Sequence, residues 1–590
     1  MSRNEQKESA VPARPEVECQ RVFENNQRIE FTELFSPEST EYTLEQVWGT
    51  TFSVSLSAML MVLFAMEGQG KVPDLSEGKT VNKAQLLEIL RRNLPKLTIL
   101  FQQGMIHQDA KFPPEILAML MTALQPQVCP EGSFHPKVWL WAFRHKETKK
   151  YKFRLLVTSR NLTQDTDFDA AVFFDSTENK SQNHEKLFDL FKSSLSQEWC
   201  ARLSNVTFYS NMYESIKDEK CKCIHTVISP FLDAEKIKKL PGLKYLFSTK
   251  EALDSLDLNF SDRKIQCFIL RDLSDASWRN GNEEVPHVNL HAKLYFSDSY
   301  LLLGSRNCTC RGWEGGKDSR GRYKKNVEFM VRLGFGQKSE TLLNSLVYDP
   351  DSDVPQRKSN RNRTQALFEP YTPQYKEPEK KDTDEKKSEL IEFLRTVGCE
   401  VCYNAERREL ELLQLPNTTL PLAVTPFFLK DDPRMEQPWS STSKLRWSIS
   451  PAQRSAFFSV RRTDLPDFTA ILIASPKAET GFVTLHDYVE LVKSTFTNEE
   501  YFEYLCSMGE VPLDDIEILS EHDYENPDSE NSWNSRDHRF LERLVQNVVA
   551  HPDLSDLYWK ELNARANDSE VSRDFVELAE FFRHLKEHHA

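Results

Sequence analysis

Residues 135–163 read HPKVWLWAFRHKETKKYKFRLLVTSRNLT, and residues 291–309 read HAKLYFSDSYLLLGSRNCT. Each stretch begins with His-x-Lys, continues as an apolar run, turns through a polar segment and returns as a second apolar run. Each ends in Ser-Arg-Asn-x-Thr. A single His-x-Lys arises often by chance, but both motifs in the same order, twice in one chain, indicate two equivalent half-sites. The alternative is a degenerate second copy without catalytic function.

The alternation of side chains along a strand predicts how each half-site is built. Residues i and i+2 of a strand point to the same face, so the His and the Lys of each His-x-Lys project together. The Ser and the Asn of the second motif come where the neighbouring strand ends. The predicted sets are His135, Lys137, Ser159 and Asn161 in the first copy, and His291, Lys293, Ser305 and Asn307 in the second.

Two such half-sites around one small anion suit a phosphodiester. Lys and Asn side chains can hold the non-bridging oxygens and stabilise developing charge. One His can attack phosphorus while the other protonates the leaving oxygen. The protein supplies these cations itself, and no dense carboxylate cluster at metal-ligand spacing lies near either copy in the sequence. We therefore expect neither a metal nor another cofactor.

The paired motifs resemble those of the phospholipase D superfamily, whose half-sites read His-x-Lys followed by a Ser/Asn element. The resemblance covers about residues 30–350. Ala142 stands where the family usually has an Asp after the first motif, whereas Asp298 stands at that spacing after the second. This looser form is more similar to the tyrosyl-DNA phosphodiesterases and the metal-independent nucleases than to the lipid enzymes. Residues 159–174, SRNLTQDTDFDAAVFF, also resemble bacterial members linked to phage defence.

The resemblance implies a role for each motif residue. It makes His135 the nucleophile and His291 the general acid, with exchanged roles as the alternative. Glu328 matches the acidic residue that orients a catalytic His across the site, and an ordinary strand-end salt bridge is the other interpretation. Asp169 is its counterpart in the first copy, where two further Asp residues are equally near. The side chains expected to bind the phosphoryl oxygens are Lys137, Lys293, Asn161 and Asn307.

Basic residues near both copies, interleaved with aromatic ones, are typical of a nucleic-acid groove. The Gly-rich basic segment 311–325 is expected to contact substrate, whereas the basic residues of 144–152 favour a solvated hairpin. A lipid substrate would call for an apolar membrane face, and none is evident. The predicted substrate contacts are Ser159, Ser305, Arg306, Arg311, Trp313, Lys317, Arg320 and Arg322.

The composition bounds the class of protein. The chain has 590 residues and a net charge of −15, of which residues 376–590 carry about −17. A general polybasic coat for nucleic acid is therefore excluded, although a local basic groove is not. The 11 Cys form no disulfide framework, the N-terminus is polar, and Phe52–Met66 is too short to span a bilayer. We expect a reduced, cytoplasmic protein without membrane association, and a buried helix over 52–66.

Apolar strand-like runs alternate with helix-like runs over residues 30–349, which predicts a mixed α/β (α+β) fold. We expect two phospholipase D-like sheet-and-helix halves related by a pseudo-twofold axis, followed by an acidic C-terminal α+β accessory domain that ends in helices. The predicted segments are a disordered N-terminus (1–28), the first half (29–225), the second half (226–350), a linker (351–388) and the accessory domain (389–590).

These observations favour a metal-independent phosphodiesterase, and among these a DNA nuclease that forms a covalent phosphohistidine in bacterial defence against phage. DNA is favoured over RNA. One alternative is an enzyme that processes DNA 3′ ends, as tyrosyl-DNA phosphodiesterases do. Another is a non-cleaving subunit of a defence complex, which binds nucleic acid or a protein partner through its C-terminal domain. A monomer carries both half-sites, so oligomers are allowed but not required.

Overall fold

The computed structural model describes most of the chain between residues 31 and 584, and the predicted disorder of residues 1–28 lies outside the described residues. The described ranges are 31–37, 39–67, 79–81, 83–107, 114–165, 167–178, 185–208, 223–271, 288–317, 321, 323–334, 368–376, 382–439, 444–450, 453–477, 484–494, 496–508, 518–520, 544–548, 554–566, 578 and 580–584.

The first half of the chain forms a six-stranded mixed sheet with the order β6-β5-β4-β1-β2-β3. The strands β1, β2 and β3 are parallel, and β4, β5 and β6 continue the sheet in antiparallel pairs. The first His-x-Lys immediately precedes β4, at the centre of the sheet. The strands are β1 (Tyr42–Thr51), β2 (Leu97–Gln102), β3 (Leu124–Gln127), β4 (Val138–His145), β5 (Tyr151–Thr158) and β6 (Ala171–Asp175).

The second half repeats this arrangement in a seven-stranded sheet with the order β12-β11-β10-β7-β8-β9-β13. Its strands β7–β12 have the neighbours and directions of β1–β6, with one further antiparallel strand at the edge. The strands are β7 (Thr226–Ile228), β8 (Tyr245–Ser248), β9 (Gln266–Leu270), β10 (Leu294–Phe296), β11 (Tyr300–Gly304), β12 (Met330–Gly334) and β13 (Phe368–Tyr371). The sequence repeat therefore reflects a repeat of topology, and the predicted mixed α/β class is confirmed.

The apolar run of β4 is continuous because each face of the sheet enters a different core. Val138 and Leu140 belong to a core that also contains Leu294 and Leu303 of the second half. Trp139 and Trp141 point to the opposite face, into a core formed with the helices. The two halves therefore pack on a shared apolar core. This packing brings together the N-terminal ends of β4 and β10, where the two His-x-Lys motifs lie.

Helices cover the outer face of the first sheet and connect its strands. The helix Leu56–Ala65 begins at Ser55, whose side chain accepts the N–H of Ala58, and it is almost entirely buried. The buried helix predicted over 52–66 is therefore confirmed. The α-helices of the two halves are Leu56–Ala65, Lys83–Asn93, Pro114–Met121, Glu185–Phe191, Gln197–Leu203, Ala234–Lys238 and Lys250–Asp254.

The prediction of a linker over residues 351–388 is wrong for two parts of this segment. Phe368–Tyr371 forms strand β13, because it pairs with β9 and completes the second sheet. The helix Asp382–Leu394 begins inside the predicted linker, and it packs against strands that follow it. Residues 351–367 and 377–381 lie outside the described residues.

The chain after this helix forms two sheets of four strands around a third core. The larger strands are Glu400–Asn404, Glu409–Leu413, Leu422–Pro426, Lys444–Ser448, Phe457–Arg462 and Leu465–Ile473. We call residues 382–477 the β-rich unit.

The last helices pack into the core of the first half, to which Phe427, Phe457 and Ile473 of the β-rich unit also belong, and not into the third core. Tyr488, Tyr504 and Tyr558 belong to the same core as the helices of the first half. The helices Leu485–Lys493 and Asn498–Ser507 pack against the helix Lys83–Asn93, which explains their apolar pattern. The helices concerned are Leu485–Lys493, Asn498–Ser507 and Leu554–Ala566. The acidic stretch 510–530 lies outside the described residues except for 518–520.

Within the described part of the chain, no helix combines the length and the apolar character that crossing a membrane requires.

Candidate active site

The first half-site lies where the chain enters β4. Lys137 is almost fully buried, and its Nζ donates to the backbone oxygen of His135 (3.0 Å). The same Nζ lies 3.3 Å from Nε2 of His135. The imidazole and the ammonium therefore share one small volume, as the strand period predicted.

The second half-site repeats this geometry at the start of β10. Lys293 is fully buried, and its Nζ donates to the backbone oxygen of His291. The burial matters because an ammonium group without solvent gains strongly from any anion that reaches it.

Each histidine is held by a carboxylate from the opposite half. Nδ1 of His135 lies 3.0 Å from Oε2 of Glu328. Nδ1 of His291 lies 2.9 Å from Oδ1 of Asp169. A carboxylate at Nδ1 fixes the ring orientation and keeps the proton there, which leaves Nε2 with its lone pair. The two contacts cross between the halves in opposite directions, so the site is complete only when both halves meet.

The backbone supports both crossings in the same way. The N–H of His135 donates to the carbonyl of Val327 (3.0 Å), and the N–H of His291 donates to that of Phe168 (3.0 Å). Val327 and Phe168 directly precede the two carboxylate residues in the chain. The pseudo-twofold relation therefore extends to individual hydrogen bonds.

Ser159 and Ser305 do not line the substrate side, contrary to the sequence prediction. Both are fully buried, and their hydroxyl groups donate to Asp169 (2.7 Å) and to Glu328. The N–H groups of Ala170 and Phe329 donate to the same Ser oxygens. Each Ser hydroxyl group therefore makes its hydrogen bonds within the protein, where it orients a carboxylate.

Asn161 and Asn307 lie in turns that two other hydroxyl groups fix. Oγ1 of Thr51 accepts the N–H of Leu162 (3.0 Å), and Oγ of Ser229 accepts the N–H of Cys308 (2.9 Å). Oδ1 of each Asn is buried and has no hydrogen-bond partner among the described residues. A buried amide oxygen without a partner is costly. This oxygen only accepts hydrogen bonds, so the amide nitrogen of each side chain is the atom that can donate to a phosphoryl oxygen. The sequence analysis missed both hydroxyl residues, because no motif marks them.

Burial is the largest influence on the pKa of both lysines. Burial lowers the pKa of Lys293 to about 8, despite the nearby charges of Asp169 and Glu328. Burial, and then the charge of Lys293, holds the pKa of Lys137 well below its usual value. Two ammonium groups that repel each other in a dry site form a receptor for an anion.

The histidines are driven towards their neutral forms. Burial, followed by the charge of Lys293, lowers the pKa of His291 to about 4. Burial also lowers the pKa of His135, and the charges of Lys137 and Lys293 add to it while Glu328 opposes it. The lysine of each half thus acts on the histidine of the other half. Both imidazoles are therefore neutral at neutral pH.

The two carboxylates are held in their charged forms. Burial alone would raise the pKa of Glu328 and of Asp169. The facing histidines outweigh this, with further help from the lysines and from the Ser hydroxyl groups, so both pKa values lie below the usual range.

Three groups near the second half-site have the spacing of metal ligands. Asp167, Asp169 and His291 place ligand atoms within 4.8 Å of one another. The sequence analysis did not find this group, because its members lie on separate segments. Oδ1 of Asp169 already accepts from His291 and from Ser159, and the charge of Lys293 acts on both carboxylates. The donor set therefore fits a hydrogen-bonded histidine better than a divalent cation.

The other predicted substrate contacts have different outcomes. The prediction that Trp313 contacts substrate is wrong. Its ring is fully buried, and its N–H donates to the hydroxyl of Tyr295 (3.3 Å). The guanidinium of Arg306 lies over this ring, 4.9 Å from its centroid, and covers it from outside. Arg311 and Lys317 are exposed, so their contact with substrate stays a prediction. Arg320 and Arg322 lie outside the described residues.

Two neighbours of the site had no signal in the sequence. The ring of Phe52, which is half-buried, lies 5.3 Å from the ring of His135. A guanidinium nitrogen of Arg160 lies 3.5 Å from Oδ2 of Asp169. Phe52 thus flanks the first histidine, and Arg160 offers positive charge beside the carboxylate of the second.

No protein-family model matches this chain, and no curated protein matches it. Among solved structures, it is similar to a mutant of yeast tyrosyl-DNA phosphodiesterase, with 13% identity and a TM-score of 0.31 over 51% of this chain and 84% of that one. It is also similar to polyphosphate kinase from Porphyromonas gingivalis, with 11% identity and a TM-score of 0.27 over 53% of this chain and 43% of that one. Similarity at this level is too low to assign a function, so the function is argued from the site alone.

Proposed function

We propose that this protein is a metal-independent phosphodiesterase of the phospholipase D type that cleaves DNA. The observation that carries the proposal is the crossed pair of contacts, His135 with Glu328 and His291 with Asp169, around two buried lysines. This arrangement supplies a nucleophile, a proton donor and positive charge in one place, and these are what the cleavage of a phosphodiester requires.

The reaction uses the two histidines in turn. Nε2 of His135 attacks phosphorus and forms an N–P bond, while the P–O bond to the leaving group breaks. His291 gives its proton to the leaving oxygen. Water then attacks the phosphohistidine, His291 takes the proton from that water, and the N–P bond breaks. The overall change is the hydrolysis of one ester bond.

The phosphate group itself prepares the proton donor. His291 has a pKa of about 4, so it is neutral at pH 7. The negative charge of a bound phosphodiester offsets the two ammonium groups that depress this pKa, and it favours the imidazolium. The lysines, Asn161 and Asn307 hold the non-bridging oxygens, and their charges oppose the charge that develops on phosphorus.

The choice of DNA as substrate rests on the surroundings of the site. Arg311 and Lys317 are exposed on the segment that leads to Glu328, and Phe52 lies beside His135. Positive charge near a half-buried aromatic ring suits a nucleic-acid strand with an accessible base. A role in bacterial defence against phage remains a prediction from the sequence resemblance.

A cleavage assay in excess EDTA tests this proposal. Wild-type protein is incubated with plasmid, single-stranded DNA and 3′-tyrosyl DNA, and His135→Ala serves as the inactive variant. His486→Ala is the matched control, because His486 is exposed on the helix Leu485–Lys493. Cleavage that requires His135 but not His486, together with labelling of the protein by substrate phosphate that is stable in alkali and lost in acid, as expected for an N–P bond, supports the nuclease.

Two other outcomes would replace the proposal. Activity on the tyrosyl adduct alone would indicate an enzyme that processes DNA ends. DNA binding without turnover, unchanged in His135→Ala, would indicate a non-cleaving subunit.

A further inference from the structure

Hydrogen bonds between described residues join the β-rich unit to the segments that carry the first half-site, and none of them joins it to Asp167, Asp169 or His291 of the second. The loop 129–133, which leads into His135, runs beside the segment 325–327, which leads into Glu328. The N–H of Lys325 donates to the carbonyl of Glu131 (2.7 Å), and the N–H of Val327 donates to that of Ser133 (2.9 Å). These two segments together carry the first histidine and its carboxylate.

Arg395, directly after the helix Asp382–Leu394, fixes this loop. Its Nη1 donates to Oγ of Ser133 (2.8 Å), and its carbonyl accepts the N–H of Cys129 (3.0 Å). Arg395 therefore forms a hydrogen bond with each end of the loop. The residue is anchored in turn by its own N–H, which donates to the carbonyl of Ile391 (3.0 Å).

A continuous set of hydrogen bonds runs from this contact to the histidine. The N–H of Ser133 donates to Oδ1 of Asn326 (3.2 Å). Nδ2 of Asn326 donates to Oε1 of Glu328 (3.2 Å), whose other oxygen faces Nδ1 of His135 (3.0 Å). Because Asn326 uses both ends of its amide, a displacement of Ser133 is passed on to the Glu328 carboxylate.

A second cation strengthens the same contact. Nζ of Lys324 donates to the carbonyl of Pro130 (2.7 Å) and lies 3.8 Å from Glu392. Glu392 also lies 3.6 Å from Arg395. The carboxylate thus joins the two cations that hold the loop from either side.

The second half-site has no such contact. Asp167, which corresponds to Asn326 by its place two residues before the carboxylate, bonds to Asn289 instead. Among the hydrogen bonds and ion pairs between described residues, none joins the β-rich unit to Asp167, Asp169 or His291. The contact from Arg395 is therefore specific to His135.

We propose that Arg395 is a positioning residue, through which the β-rich unit holds His135 and Glu328 in the geometry for attack on phosphorus. This proposal rests on the proposed function. It makes the β-rich unit part of the catalytic apparatus, because any movement of that unit would disturb the first histidine before the second.

Two substitutions remove the contact from its opposite sides. Arg395→Ala deletes the guanidinium, and Ser133→Ala deletes its acceptor with a much smaller change of volume. Arg434→Ala is the matched control, because Arg434 is exposed in the same unit and pairs only with Asp432 among the described residues.

The first readout does not require activity. In protein labelled with ¹⁵N-histidine, the proton on Nδ1 of His135 should exchange with solvent about tenfold faster in Arg395→Ala and in Ser133→Ala, because the opening of the His135–Glu328 contact exposes it. The corresponding proton of His291 and both protons in Arg434→Ala should exchange at the wild-type rate. Equal exchange at His135 in all variants would overturn the proposal, even if no substrate were ever cleaved.

The second readout is turnover of bis(p-nitrophenyl) phosphate. Arg395→Ala and Ser133→Ala should lower kcat about 10- to 100-fold, with KM changed less than twofold, because displacement of a reacting group affects the chemical step. Arg395→Ala combined with Asn326→Ala should be no slower than the worse single variant, since both break one pathway. Additive losses would contradict the proposal. Absence of turnover in wild type would count against the proposed function and leave the exchange experiment to decide about Arg395.

Discussion

Oδ1 of Asp169, in the first half of the sequence, lies 2.9 Å from Nδ1 of His291 in the second half. Glu328 and His135 make the reciprocal contact at 3.0 Å. Each half thus supplies the histidine of one dyad and the carboxylate of the other. Each dyad is therefore a contact between the two halves, and it forms only when both halves pack together.

The carboxylates should matter for turnover nearly as much as the histidines. Asp169→Asn and Glu328→Gln keep the shape of the side chain but remove the charge that orients the imidazole. We expect kcat for a phosphodiester to fall about 10²-fold or more in each variant, in the range of acid–base contributions. Asp298→Asn is the control, because its side chain is 99% exposed. Full activity in Glu328→Gln would refute the assigned role.

Anion affinity should fall at high pH. Lys293 is cationic below its pKa of about 8 and neutral above it. A bound anion favours the charged form, so the affinity for dimethyl phosphate, a diester that does not titrate near neutral pH, should decrease by up to about tenfold per pH unit above pH 8. Calorimetric titration between pH 6 and pH 10 measures this decrease. Constant affinity over that range would show that Lys293 does not bind the anion.

Binding of an anion should protonate His291. The lysine charges help to hold its pKa near 4, and a phosphate between them would offset this effect. We expect the NMR titration of His291 to shift to higher pH when phosphate is added, with net proton uptake near pH 5. The exposed His486 serves as the internal reference, and its titration should not move. If phosphate does not change the pKa of His291, the anion binds at another position and not between the two lysines.

Gly132 should tolerate no side chain. A Cβ at this position would lie 1.8 Å from the carbonyl oxygen of Lys325. Gly132→Ala should therefore separate the loop 129–133 from the segment 325–327 and lower kcat about tenfold or more, because His135 and Glu328 follow these two segments. Gly398→Ala is the control, since nothing lies within 4 Å of its Cβ position. Equal activity of the two variants would contradict this geometry.

The last helices should unfold together with the first half. Tyr504 is fully buried in the core of the N-terminal helices. Tyr504→Ala should lower the free energy of unfolding by roughly 3–5 kcal/mol, the range for loss of a large buried ring. Denaturant unfolding followed at the helices and at the first sheet should shift by the same amount. The exposed Tyr375→Ala should have little effect, and a shift confined to the last helices would indicate a separate domain.

Local pattern predicted much of the fold and the placement of motifs. The apolar run that precedes the second Ser-Arg-Asn-x-Thr forms the strand Tyr300–Gly304, because a polar turn bounds it on each side. The pairing of imidazole and ammonium was predicted from the strand period alone. Trp313 was assigned wrongly, because an aromatic residue in a basic segment looks the same in sequence whether it stacks on a base or fills a core.

The sequence by itself determined the duplication, the side chains of the two half-sites and the α/β class, since these follow from local spacing and alternation. Only the tertiary structure decided that Asp169 serves His291 and that Glu328 serves His135, because both pairings require two sheets to meet on a shared core. It also decided that Ser159 and Ser305 bind carboxylates, and that Arg395 reaches Ser133 across 262 residues. Contacts between distant segments depend on packing, which carries no local signature in the chain.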